Sequence, residues 1–198
     1  TYSNNKLICN SGYFQNFKHQ LNSISKSTAS HSTLILDNSS ICKFKKNNSG
    51  NYLINKSYKI FNKKIINEKN YWNLTAAHDG YQKKYGVIHQ REIEFYPEKN
   101  KIIGKDHLIK KKNFKSTNFE IRFHLSPSVN VTKTQEGNVI LIELENSGWK
   151  LTSNKHLIDI ETGLYFGKKN SFTENQNIFI SGITQNENQI IEWKIEKI

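Results

Sequence analysis

The sequence predicts an all-β protein, an antiparallel β-sandwich with little helix. Three observations carry that prediction. Nearly every periodic segment repeats every two residues, turn-forming clusters recur about every ten residues, and apolar patterning at helical spacing is almost absent. At 198 residues, one sandwich domain accounts for the whole length. Hydrophobic residues make up 35% and aromatics 12%, enough to build a core and to exclude global disorder.

Taken in order, strands are expected at Leu7–Asn10, Ser32–Leu36, Tyr58–Ile66, Tyr71–Ala77, Gly86–Tyr96 and Lys101–Leu108. A helix is expected over Tyr13–Ser23, where Phe14, Phe17 and Leu21 fall at helical spacing. Lys45–Asn51 is polar and rich in Asn and Gly, so it is assigned to a loop. The cleanest strand is Asn118–Leu125, with Phe119, Ile121, Phe123 and Leu125 on one face and Glu120, Arg122 and His124 on the other. Val139–Leu144 is a continuous apolar run, expected to be covered on both faces, and Trp149–Thr152 follows it. Asn177–Gly182 and Gln189–Ile195 form a closing pair across the polar turn Thr184–Asn188.

The formal net charge is +12. Its make-up argues against nucleic acid as the partner. Of the 29 basic residues only Arg91 and Arg122 are arginine, and the lysines are scattered, so there is no arginine fork for base edges. A polyanionic ligand such as an acidic polysaccharide suits this surface better. No apolar run approaches the roughly 20 residues of a membrane helix, and no secretory leader opens the chain. The first residue is Thr1, so an N-terminal portion of a longer chain is expected to be missing. Cys9 and Cys42 are too few for a disulfide framework or a zinc ribbon.

One stretch looks organised for chemistry: Ser27-Thr28-Ala29-Ser30-His31-Ser32-Thr33-Leu34-Ile35-Leu36-Asp37. Small hydroxyl residues surround a single titratable, metal-capable imidazole at the entry of a strand, leaving room for a ligand or a second domain. His78 opens His78-Asp79-Gly80-Tyr81 at the end of another strand. His31, Asp37 and His78 are a chemically reasonable mixed N/O metal set, though only the fold could assemble them. His89 and His124 alternate with apolar residues and are expected to face away from the core or to bond across strands. His107 and His156 are expected to face solvent, and Asp106 to cap or turn the chain. Nucleophile elbows and glycine-rich phosphate loops are absent.

The order of the segments resembles the C-terminal β domain of the heparinase II/III-like polysaccharide lyases. The likeness rests on Ser27–Leu34, Ala77-His78-Asp79-Gly80-Tyr81, and Tyr85–Arg91. It continues through Ile103–Leu108, Ile121–Pro127, Ser147-Gly148-Trp149-Lys150 and the late Ile180–Trp193 strand pair. The resemblance implies a β-sandwich of the lyase supersandwich type, joined in the whole protein to an N-terminal (α/α) toroid. It implies β-elimination on uronic-acid glycans and an address in a bacterial cell envelope or periplasm. His31 would be the catalytic histidine facing the cleft, with Asp37 and His78 as candidates for a structural divalent metal, zinc or calcium. The isolated domain would be inactive. A non-catalytic carbohydrate-binding or structural sandwich is the alternative.

Overall fold

A computed structural model describes residues 6–49, 52–55 and 58–198. Fifteen strands are assigned among them: β1 Ile8–Cys9, β2 Leu34–Leu36, β3 Lys43–Lys46, β4 Tyr52–Asn55, β5 Ile60–Glu68, β6 Tyr71–His78, β7 Val87–Tyr96 and β8 Lys101–Lys110, then β9 Asn118–Leu125, β10 Asn130–Lys133, β11 Val139–Leu144, β12 Ser147–Ser153, β13 Ile158–Tyr165, β14 Thr173–Ile183 and β15 Gln189–Lys197. The helices are α1 Gln20–Lys26 and the single turn α2 Gln82–Tyr85. The architecture is the antiparallel sandwich that the period-two patterning predicts.

Eight strands form the large layer in the order β10-β11-β12-β15-β8-β7-β6-β5. The small layer runs β1-β9-β14-β13, with β2 continuing the β1 edge of β9. A separate hairpin pairs β3 with β4. The core fills the space between layers. From β9 come Phe119, Ile121, Phe123 and Leu125, and opposite them lie Ile140, Leu151, Ile191 and Ile195. Each such side chain taken from water contributes on the order of 1.5–3 kcal/mol. The Phe123 ring meets Trp193 edge-on, with centroids 4.8 Å apart. Trp193 can lie against β8 only because Gly104 stands opposite it: a Cβ there would come within 2.0 Å of the indole.

Several expectations need correction. Val139–Leu144 is covered on one face only, burying Ile140, Ile142 and Leu144 while Glu143 is exposed. Its other face has no layer over it among the described residues to reward further burial. The helix lies at Gln20–Lys26, because His19 accepts the Leu21 N–H and starts it there, seven residues later than the apolar spacing suggests. Part of the expected loop Lys45–Asn51 is the hairpin strand β3, and Gly50 and Asn51 lie outside the described residues. Asp106 does not cap a turn: it sits within β8, fully buried. His107 and His156 are half-buried rather than open to solvent, His156 against the Phe119 ring. Both cysteines are free thiols.

Candidate functional site

His31 follows a short 3-10 turn, Thr28–Ser30, that leads into β2. Its side chain is exposed. Enough protein still surrounds the imidazole for desolvation to lower its pKa, so the ring is neutral at physiological pH.

The backbone beneath it is held at five consecutive carbonyls. Ala29 O accepts His124 Nε2–H at 2.8 Å, and Ser30 O accepts the Ser11 N–H at 3.0 Å. His31 O accepts the Thr33 N–H at 2.8 Å, Ser32 O accepts Arg91 Nη1–H at 2.6 Å, and Thr33 O accepts the Arg122 N–H at 3.1 Å. The Ser32 hydroxyl donates to Cys9 O and accepts the His124 N–H, tying the turn to β1 and β9 together.

Arg91 belongs to a buried charged cluster between the layers. The register of β7 against β8 sets Arg91 opposite Asp106, and the pair is bidentate: Nε to Oδ1 at 2.7 Å and Nη2 to Oδ2 at 3.0 Å. His89 Nε2 lies 2.6 Å from Asp106 Oδ1, and Trp193 Nε1–H donates to Oδ2 at 2.8 Å. Burial alone would raise the Asp106 pKa, but the Arg91 guanidinium and the His89 bond hold it well below the usual carboxylate range. Four donor bonds therefore stabilise one buried anion.

The tautomers of the adjoining histidines follow from one backbone group. The Gly80 N–H can only donate, and it points at His78 Nδ1 at 3.2 Å. The His78 proton is therefore on Nε2 and faces His89 Nδ1 at 3.2 Å, which leaves the His89 proton on Nε2, aimed at Asp106. Burial lowers the pKa of both, that of His78 to about 4, consistent with two neutral rings.

On the other side of the turn, His124 lies on the outer face of the small layer, 4% exposed. Burial lowers its pKa to about 4 and outweighs the Ala29 bond. Asn177 stands beside the ring, and Asn175 bonds Asn177 and Leu125 O.

Asp37 and His78 do not join His31 in a cluster. Asp37 ends β2 at φ +47° and accepts the Tyr85 hydroxyl at 3.2 Å, while both His78 nitrogens are already engaged. Among the described residues no group of three or more His, Cys, Asp or Glu side chains could hold a metal ion. The donor set named from the sequence does not fit a shared cation. Sequence reasoning missed Arg91, Asp106 and Trp193 as partners, because only strand register brings them together.

A family model described as heparinase II/III-like, C-terminal, matches residues 1–194. The chain belongs to the heparinase II/III-like family, as its C-terminal domain. Among solved structures it is similar to the heparan sulfate lyase HepC from Pedobacter heparinus, with a TM-score of 0.76 and 18% identity over 96% of this chain and 28% of that one. It is also similar to the heparinase III BT4657 gene product, with a TM-score of 0.72 and 14% identity over 97% and 28%. A third heparinase III structure gives a TM-score of 0.70 and 15% identity with the same coverage. At these identities the likeness establishes the fold. The chain spans about 28% of the length of these structures. A comparison with curated proteins gave no match.

Proposed function

We propose that this chain is the C-terminal sandwich of a polysaccharide lyase that cleaves uronic-acid-containing glycans by β-elimination, and that it contributes His31 to a cleft shared with an N-terminal helical toroid domain. The observation that carries the reading is an exposed, neutral imidazole on a turn whose carbonyls are held one by one. Catalysis needs a proton-transfer group fixed in position, and a tethered backbone supplies that fixity.

In β-elimination the C5 proton of the uronate is removed, the C4–O glycosidic bond breaks with formation of the C4–C5 double bond, and the leaving oxygen takes a proton. The uronate carboxylate must be neutralised as charge develops at C5. A neutral His31 can take a proton at its bare ring nitrogen and, as the imidazolium so formed, return one to the leaving oxygen; neither ring nitrogen is occupied by a hydrogen bond among the described residues, so either tautomer is open to it. The +12 formal charge would concentrate an acidic glycan near the cleft, with attraction screened beyond about 8 Å at physiological salt. A bacterial cell envelope or periplasm is the compartment that belongs to this proposal.

The test is ultraviolet absorbance of unsaturated uronate products released by the full-length protein from heparan sulfate and other acidic glycans. Product should accumulate, and His31→Ala should lower turnover by orders of magnitude with the melting temperature unchanged. Undiminished turnover in that variant would remove His31 from the chemistry.

A further inference from the structure

The two layers of the sandwich do not match in width. The large layer has eight strands and the small layer ends at the edge formed by β1 and β2 on β9. Beyond that edge the inner face is open among the described residues at Ile65 of β5, Trp72 and Leu74 of β6 and the Ile93–Phe95 end of β7, whereas Val87, His89 and Arg91 of β7 lie between the layers. Register defines this face: Trp72 pairs with Phe95 and then Ile102, and Leu74 pairs with Ile93 and then Gly104, so these side chains share the face that carries Trp193 and the core. Yet Ile65 is 74% exposed, Leu74 47% and Trp72 45%. An inward-facing apolar row of this kind is normally buried.

The shelf is not featureless. It deepens into a hollow of about 500 Å³ lined by Leu7, Ile8, Trp72, Phe95, Ile102 and Trp149. Lined mainly by apolar atoms, it continues past Ile93 toward Ile65 as a second apolar hollow. Leu7 and Ile8 point to the occupant, because they line the hollow and lie next to Lys6, the first described residue. The solved relatives are more than three times as long as this chain, which matches 28% of their length, and the matching family model is a C-terminal one.

We propose that the polypeptide directly preceding Thr1 in the full-length protein lies across this shelf and completes the small layer over β5–β7. The occupant is intramolecular, and it presents apolar side chains to Trp72 and Leu74. A second copy of this chain and an apolar ligand are the competing occupants that the experiment distinguishes.

The experiment uses the full-length protein with benzoylphenylalanine at position 74 in place of Leu74 and, as control, at Lys168, an exposed residue. After irradiation the cross-linked peptides are mapped by mass spectrometry. An intramolecular cross-link from position 74 to residues upstream of Thr1, several-fold above the yield at 168, is the expected result. A cross-link between two copies, seen at doubled mass, overturns the proposal, as does a yield at 74 no higher than at 168. Leu74→Asp supplies a second readout: the melting temperature of the full-length protein should fall by several degrees or more, and an unchanged value contradicts a covered shelf.

Discussion

The turn that carries His31 is gripped from two sides by clusters of opposite character. Between the layers, Arg91 and Asp106 form a bidentate ion pair with His89 and Trp193 on the same carboxylate. On the outer face of the small layer, His124, Asn175 and Asn177 form a cluster without a formal charge. Each cluster's side chain bonds one carbonyl of the turn, Arg91 at Ser32 and His124 at Ala29, and the His124 N–H also donates to the Ser32 hydroxyl. The charged cluster is the more costly to disturb, because an ion left buried without its counter-charge is worse than an unmet amide. The neutral cluster is instead sensitive to acid.

The largest effect is therefore expected at the anion. Asp106→Asn leaves the Arg91 charge unbalanced within the sandwich and should cost about 3–5 kcal/mol of stability, read from urea unfolding. A loss under about 1 kcal/mol would mean that the charged cluster is no stronger a support than the neutral one.

Acid should single out the neutral cluster. His124 has a folded-state pKa of about 4 against 6.5 in an exposed chain, so between those values the unfolded state binds the proton that the folded state refuses. Stability is complete above about pH 6.5, declines as pH falls toward 4, and stops declining below that. The contribution is up to about 3 kcal/mol. His78 adds to the same window. Unfolding measured at pH 7.5 and at pH 5 should show a smaller difference in His124→Gln than in the parent, and identical differences would detach His124 from the acid response.

Next in size is Gly104→Ala, in which the added methyl meets the Trp193 indole that donates to Asp106. Overpacking of this kind costs about 1–3 kcal/mol, and thermal melting should report it. The smallest change is Asp37→Asn. Asparagine tolerates the positive φ, and its carbonyl can still accept the Tyr85 hydroxyl, so the shift should stay within about 0.5 kcal/mol. A drop of several kcal/mol on that substitution would reveal a role for the Asp37 charge that its hydrogen bond does not explain.

Much of the fold was legible in the chain because burial on one face writes itself as alternation. β9 begins and ends where Asn118–Leu125 predicts, and β7 lacks only the Gly86 of the expected segment. Strands β3 and β13 were not legible: Lys43-Phe44-Lys45-Lys46 has one apolar residue, and in Ile158–Tyr165 the alternation of Ile158-Asp159-Ile160-Glu161 lasts only four residues before Thr162-Gly163 breaks it. They are made by their partners, β4 and β14, rather than by their own apolar content. The site was half legible. Small residues around His31 did signal an open imidazole, and the structure leaves it exposed. Asp106 was misread because a carboxylate followed by His107 has the local look of a turn, whereas its partners lie 15, 17 and 87 residues away and meet it only through register.

The claim that both clusters serve the His31 turn can be measured directly by amide hydrogen exchange over the peptide Thr28–Thr33 in the full-length protein. Exchange should be slow in the parent and in His31→Ala, and should accelerate in both Arg91→Lys, which loses the fork that spans Asp106 and Ser32 O, and His124→Gln. The same slow exchange in both of those variants, with the rest of the fold intact, would contradict it.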